Sequence, residues 1–240
     1  MGGAPGAARA AQGLTALTAP GKATTPAGGG LTRPPPAYFS QWGSLAANRC
    51  RIRDGGDPSG RVDWAALGFG SAAEYRRWTD HACGVACLQS LLHAAGREVP
   101  PMARLIDELA GAGAFQVRDD AITGLIYEPC VRWARDRWQL AGVTVPGLSA
   151  GQLHGHVAAG GMAIASVTPE IRRPRDEPAR RGGHLVLVFG ADDRGLTFHN
   201  PSGLAAPDSF DGTETAVSAV LPVSRFDRYF ARRGMLFAGA

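Results

Sequence analysis

Apolar residues in the first half of the chain recur with the three- to four-residue period of amphipathic helices. The clearest example is the segment 82–96, where Cys87, Leu88 and Leu91 follow helical spacing and Gly96 ends the helix. The same pattern predicts three further helices, at 71–78, from Pro101 through Leu109, and from Pro129 through Trp138.

After Gly142 the pattern changes to the short apolar runs that are typical of strands. Ser149 and Ser224 are predicted to cap two short helices, which run through Val157 and Phe230. Strands are predicted at 143–145, 162–167, 184–189, 196–199, 216–221 and 234–237. Helices followed by antiparallel strands predict an α+β domain.

The first 36 residues differ in composition from the rest of the 240-residue chain. They contain no aromatic residue and hold 14 of the 50 glycines and prolines, so they cannot bury enough surface to offset the entropy of ordering. We therefore predict a disordered leader at 1–36 and a folded domain at 37–240. The domain is predicted to begin with a strand-like segment at 38–42, and turn-forming residues predict a loop at 50–62.

Charge and hydropathy exclude several classes of function. The net charge is +4, and the leader supplies +3 of it, so the domain lacks the clustered positive field that nucleic-acid binding requires. No apolar run approaches the length of a membrane-spanning helix, so no span is expected. No secretory signal pattern is present at the N-terminus, and the four dispersed cysteines are expected to be reduced, so we expect a cytoplasmic protein. The alternative is a secreted protein whose true start lies upstream.

Cys83 is the candidate nucleophile, because it lies in the first turn of the predicted helix 82–96. Unpaired backbone N–H groups and the positive end of the helix dipole would favour its thiolate, and Gly84 would leave the helix end open to a substrate. Cys87 lies one turn deeper and is predicted to be a core residue. A lone cysteine is more often a buried small hydrophobe than a nucleophile, so the assignment depends on its partners.

Two of the predicted strands form a hairpin with its turn at 192–195. Pairing Val186 with Phe198 sets His184 opposite Asn200, on the same face of the hairpin. A carboxamide beside an imidazole can fix the ring tautomer so that the other ring nitrogen faces a thiol. This is the arrangement that cysteine peptidases use.

Two motifs resemble the papain-like cysteine peptidases of family thirty-nine, the bacteriocin-processing or double-glycine leader peptidases and their stand-alone relatives. Cys83-Gly84-x-Ala86-Cys87-Leu88, ahead of an apolar helix, is similar to the nucleophile helix of that family. Gly183-His184 followed by four apolar residues, and then Asn200-Pro201-Ser202-Gly203, is similar to its histidine strand and Asp-Pro turn. The resemblance implies a papain-like α+β fold in which an N-terminal helical half carries the nucleophile helix, packed on a C-terminal antiparallel sheet.

The chain departs from the family pattern at two positions. Asn200 stands where the family usually has Asp, and an asparagine can orient the histidine equally well. The oxyanion-hole glutamine expected six or seven residues before the cysteine is replaced by Arg77 and Arg76. Gln41 is the substitute that we predict, acting with the backbone N–H of Cys83, and the alternative is an ordinary edge-strand glutamine. Asp80 and His81 are secondary candidates for the same role.

The expected function is that of a cysteine peptidase or amidase that cleaves peptide bonds of a peptide or protein substrate, with no cofactor and no metal. Two alternatives stay open: a papain-like acyltransferase or transglutaminase with the same residues, and a degenerate relative that only binds peptides. A zinc site drawn from His81, Cys83, Cys87 and Cys130, or from His154 and His156, lacks the paired spacing of structural zinc sites. The arginine-rich segment 169–181 is predicted to be a loop beside the site.

Overall fold

A computed structural model describes residues 34–119, 121–174 and 177–239. The predicted leader at 1–36 therefore lies almost entirely outside the described residues. The described residues form seven α-helices: α1 (Leu45–Ile52), α2 (Ala72–Thr79), α3 (Cys83–Ala94), α4 (Met102–Gly111), α5 (Tyr127–Trp138), α6 (Ala150–Ala158) and α7 (Val223–Tyr229).

Eight strands are present in the described residues, and six of them form one antiparallel sheet with the order β3-β8-β4-β5-β6-β7. The remaining two, β1 and β2, form a separate short hairpin. The strands are β1 (Val117–Arg118), β2 (Ala121–Ile122), β3 (Gly142–Pro146), β4 (Met162–Val167), β5 (His184–Asp192), β6 (Gly195–His199), β7 (Ala219–Leu221) and β8 (Phe230–Phe237).

Hydrophobic residues bury both faces of the six-stranded sheet. One face packs against α3, α4 and α5, and alternate residues of the central strands, such as Leu185 and Leu187, lie in this core. The other face packs against α6 and α7, and Val186 and Val188 lie in that second core. The α+β class is confirmed, and so is the packing of α3, the helix that begins at Cys83, on the C-terminal antiparallel sheet.

Several predicted elements differ from the observed ones. The segment 38–42 has no regular strand, because its backbone bonds to loops rather than to a neighbouring strand. The loop predicted at 50–62 begins inside α1, which the sequence analysis did not predict. Ser224 does not cap α7, since the N-cap residue is Pro222 and no side chain bonds to it. The strand predicted at 234–237 starts earlier, at Phe230, and lies inside the sheet between β3 and β4.

The hairpin formed by β5 and β6 has the predicted turn and a different register. Asp192 pairs with Gly195 across a two-residue turn, and a β-bulge between Val188 and Gly190 then shifts the pairing by one residue. Val188 therefore pairs with Phe198, two residues from the predicted partner Val186. Turn length and the bulge together set the register, and a shift of two residues keeps each side chain on its predicted face.

No helix in the described part of the chain is both long enough and apolar enough to cross a membrane.

Candidate active site

Cys83 is the first residue of α3, where the backbone N–H groups of the first turn have no partner within the helix. It is half-buried, whereas Cys50, Cys87 and Cys130 are buried. Backbone hydrogen bonds from Leu185 and Gly84 stabilise its charged form. The sulfur therefore lies against the residue that follows His184 in β5.

Gly84 has a structural role that differs from the predicted one. The residue is buried, and a Cβ atom built on it would lie 2.6 Å from Leu125 Cδ2 and 2.9 Å from Leu185 Cδ1. The absence of a side chain at Gly84 lets two core leucines approach the end of α3. We had expected the missing side chain to open that end of α3 to a substrate, and the two leucines fill the space instead.

Burial raises the pKa of the Cys83 thiol above its ordinary value, and this is the largest effect on it. Backbone hydrogen bonds and the positive charge of Arg172 act in the opposite direction without overcoming burial. The expectation that the helix end would give Cys83 a depressed pKa is therefore wrong, because loss of hydration outweighs the helix-end and charge effects. In the free protein the group is a thiol.

His184 is the first residue of β5, and its ring is buried. Its Nε2 lies 2.7 Å from Oδ1 of Asn200, which is fully buried in the turn after β6. The backbone N–H of Ser202 also donates to Asn200 Oδ1, at 3.2 Å, and this fixes which end of the amide faces the ring. Oδ1 must accept from Nε2–H, so the tautomer leaves an unprotonated Nδ1 that can act as a base.

The His184 ring is neutral in the free protein. Burial lowers its pKa to about 3, the nearby Arg172 charge lowers it further, and the hydrogen bond to Asn200 acts in the opposite direction. Thiol and imidazole are therefore both neutral at physiological pH, and no imidazolium assists the thiolate of Cys83.

Gln41 is buried between the end of α2 and the turn that follows β6. Its Nε2 donates to the carbonyl of Thr79 at 2.9 Å, four residues before Cys83, and its backbone N–H donates to Pro201 at 2.8 Å. Its Oε1 has no hydrogen-bond partner among the described residues. One of the two Nε2 hydrogens is used by Thr79, and the other makes no hydrogen bond among the described residues.

Two further residues in contact with His184 or close to it were missed by the sequence analysis. The Ser202 hydroxyl oxygen lies 2.9 Å from His184 Nε2 and 3.2 Å from Asn200 Oδ1. Arg172 ends a 3₁₀-helix at Pro169–Arg172, inside the segment that was predicted only as a loop, and its Nε donates to the same hydroxyl at 2.7 Å. A correct hairpin register would have identified Ser202, because counting from Val188↔Phe198 sets Ser202 opposite His184.

The other histidines considered for chemistry are occupied by backbone groups. His199 Nδ1 accepts from Ser218 N–H, and its Nε2–H donates to the Pro36 carbonyl. His154 and His156 each bond to carbonyl oxygens through Nε2. Within the described residues, no group of three or more His, Cys, Asp or Glu side chains is arranged to hold a metal ion.

Comparison with known proteins finds similarity among solved structures. No family model matches the chain, and no curated protein matches its sequence. The crystal structure of a "putative C39-like peptidase" from Bacillus anthracis is similar to this chain, with a TM-score of 0.47 and 17% sequence identity. The similarity covers 67% of this chain and 90% of that one.

Proposed function

We propose that the protein is a thiol hydrolase, a cysteine-type peptidase or amidase with a papain-like arrangement of Cys83, His184 and Asn200. The observation that carries the proposal is the hydrogen bond of 2.7 Å between His184 Nε2 and Asn200 Oδ1. It leaves Nδ1 of His184 as a base, at the point where the next residue, Leu185, bonds to the Cys83 sulfur.

In the proposed reaction, the Cys83 sulfur attacks the carbonyl carbon of an amide while Nδ1 of His184 takes the thiol proton. Because both groups are neutral at rest, the proton moves during attack and no ion pair forms beforehand. The imidazolium then gives this proton to the leaving amine, and a thioester to Cys83 remains. Water, activated by the same Nδ1, hydrolyses the thioester and restores the thiol.

Gln41 is proposed to stabilise the oxyanion together with the helix end. The backbone N–H of Cys83 has no partner within α3 and is proposed as one donor, and the second hydrogen of Gln41 Nε2 is proposed as the other. Gln41→Ala should lower kcat about a hundredfold with little change in KM, because the donor acts mainly on the charge that develops during attack. An unchanged kcat would leave Gln41 with only its structural bonds to Thr79 and Pro201.

The test of the function is cleavage of an unfolded protein and of a mixed peptide library, followed by mass spectrometry. Cys83→Ala should abolish new termini, and the matched control Cys50→Ala should keep them, since Cys50 lies in α1 away from the triad. Cleavage by Cys83→Ala at the wild-type rate would refute the nucleophile. Products joined to an added amine would identify acyl transfer. If no cleavage product and no thioester is detected, the protein binds peptides without acting on them.

A further inference from the structure

The guanidinium of Arg172 is linked to His184 through a single hydroxyl group, that of Ser202. Its Nε donates to Ser202 Oγ at 2.7 Å, and that oxygen lies 2.9 Å from Nε2 of His184. The charge of Arg172 also shifts the pKa of both Cys83 and His184, so the cation lies close to the groups that would react.

The guanidinium uses only part of its hydrogen-bonding capacity within the protein. The side chain is partly buried, and burial lowers its pKa to about 10, which leaves it charged at neutral pH. Among residues 34–119, 121–174 and 177–239, no ion pair includes Arg172 and Ser202 is its only hydrogen-bond acceptor. The two terminal amino groups, which form the fork that binds a carboxylate, are left for a ligand.

The two acidic residues near Arg172, Asp80 and Glu170, do not form a hydrogen bond with its guanidinium. Asp80 acts on Arg172 through its charge, but its carboxylate is held by Trp42 Nε1 at 3.0 Å and by Arg51. Glu170 also acts through its charge and makes no hydrogen bond to Arg172. Because His184 is neutral, Arg172 is the cation whose charge acts on both Cys83 and His184.

On the basis of the proposed function, we infer that the substrate carries a carboxylate next to the amide that Cys83 attacks, and that Arg172 binds this carboxylate. The Arg172 guanidinium is partly buried and has unused donors, so a carboxylate that enters the site can form a bidentate, charge-assisted pair with it. The carboxylate can be the C-terminus of a short peptide or an acidic side chain. Arg172 would then select the substrate, and Ser202 would hold Arg172 in position.

The test compares the rates at which iodoacetate and iodoacetamide alkylate Cys83. Both reagents need the same thiolate, so the ratio of the two rates is independent of the thiol pKa and reports attraction of a carboxylate beside the sulfur. Arg172→Met should lower this ratio about tenfold or more, the effect of one charge-assisted hydrogen bond. Arg172→Lys should keep part of it.

Arg173→Met is the matched control, because Arg173 is adjacent in sequence but exposed and stacked over Phe210 at 3.7 Å. Its ratio should equal that of the wild type. An unchanged ratio in Arg172→Met, or an equal fall in Arg173→Met, would overturn the inference, since either result would place the attracting charge elsewhere.

A second measurement needs no variant and therefore does not depend on how Arg172→Met folds. In the wild-type protein, N-acetylglycine should protect Cys83 from iodoacetamide at lower concentration than N-acetylglycinamide does, and equal protection would contradict the inference. Peptides that end in a free acid or an amide, with or without an acidic residue, then distinguish the two sources of the carboxylate. Failure of the hydrolase proposal would appear separately, as absence of peptide turnover with the alkylation ratio intact.

Discussion

The Cys83 thiol and the His184 imidazole are held in their neutral forms by the same cause, removal of water from both groups. Burial is the largest effect on each pKa, raising that of Cys83 and lowering that of His184. The Arg172 charge favours the thiolate and disfavours the imidazolium. In the proposed reaction the thiol proton would therefore move to the imidazole during attack, without a preformed ion pair.

This state of the thiol predicts how alkylation of Cys83 depends on pH. Since the pKa lies above the ordinary value of 9.0, the iodoacetamide rate should rise about tenfold for each pH unit between pH 7 and pH 9. Cys83 should still be labelled before Cys87 and Cys130, which are buried and whose pKa values burial also raises. Mass spectrometry of the labelled peptides measures both, and a rate already constant at neutral pH would contradict the prediction.

Asn200 offers a second test of the proposed site, because three donors converge on its Oδ1: His184 Nε2 and the backbone N–H and hydroxyl of Ser202. Asn200→Asp keeps an acceptor for both His184 and Ser202 N–H, so activity should largely survive. The new carboxylate favours the imidazolium, so the pKa of His184 should rise from about 3 and the acid limb of the kcat/KM profile should move to higher pH.

Asn200→Ala is the paired variant. It removes the acceptor and should lower kcat about a hundredfold or more, because the ring loses its fixed tautomer and orientation. If Asp and Ala variants lose equal activity once the folded fraction is measured by circular dichroism, Asn200 acts only as a turn residue before Pro201.

At the scale of the elements, the N-terminus of α3 is positioned by close packing at Gly84. Gly84→Ala adds about 1 kcal/mol of helix propensity, but its Cβ would lie within 3 Å of the Leu125 and Leu185 side chains. Overpacking of this kind costs about 1–3 kcal/mol, so we expect a net loss of about 1 kcal/mol in the free energy of unfolding, together with lower activity.

Gly155→Ala provides the control, since Gly155 is an exposed residue of α6 with no atom within 4 Å of the added Cβ. This variant should gain about 0.5–1 kcal/mol. Urea unfolding measures both variants, and stabilisation of both would show that the leucines move aside at no cost.

The β5–β6 hairpin shows why the site could be predicted only in part. His184 and Asn200 meet although the predicted register was wrong, because an error of two residues preserves the face of a strand. The bulge between Val188 and Gly190 has no signature in the alternation of apolar residues, so Ser202 was missed. Arg172 could not be predicted, since only tertiary packing brings its 3₁₀-helix to the triad.

The helices α3, α4, α5 and α6 were predicted because each has an apolar face or a recognisable first turn. In contrast, α1 was missed. Its sequence has little apolar periodicity, and one of its buried residues is Asn48, which packs through hydrogen bonds. Hydrophobic periodicity cannot identify a helix whose buried contacts are polar.

At the scale of the whole molecule, Asn48 joins the N-terminal helices to the loop that carries Asn200. Its Nδ2 donates to the carbonyls of Pro201 and Gly203 at 3.0 and 2.8 Å and also bonds to Tyr38. Its Oδ1 accepts from the Ser40 hydroxyl at 2.6 Å. The side chain is fully buried, so water cannot replace these bonds when they are removed.

Substitution of Asn48 should therefore cost more stability than any surface change. Asn48→Ala removes the donor to both carbonyls and leaves the buried Gly203 carbonyl without its hydrogen bond, whereas Pro201 keeps the bond from Gln41 N–H, and it should lower the free energy of unfolding by about 3 kcal/mol. Tyr38→Phe is the comparison variant: it removes one hydroxyl of the same network, which bonds to Asn48 and to the carbonyls of Asn200 and Pro201, and should lose about 1 kcal/mol. Urea unfolding followed by tryptophan fluorescence measures both, and a loss of about 1 kcal/mol or less in Asn48→Ala would show that Asn48 contributes no more than the single Tyr38 hydroxyl.

Asn48→Asp separates hydrogen bonding from shape, because it keeps the size of the side chain and replaces the donor by an acceptor. A carboxylate would face the carbonyl oxygens of Pro201 and Gly203, so the folded-state pKa of the new group should lie above its unfolded value. The variant should be least stable at neutral pH and should recover towards pH 4, where the carboxyl takes up a proton and donates to one carbonyl. Asn48→Ala lacks this group, so the difference in unfolding free energy between the two variants should change with pH. A constant difference from pH 4 to pH 8 would mean that the carboxylate turns to solvent and that the loop carrying Asn200 is not held by Asn48.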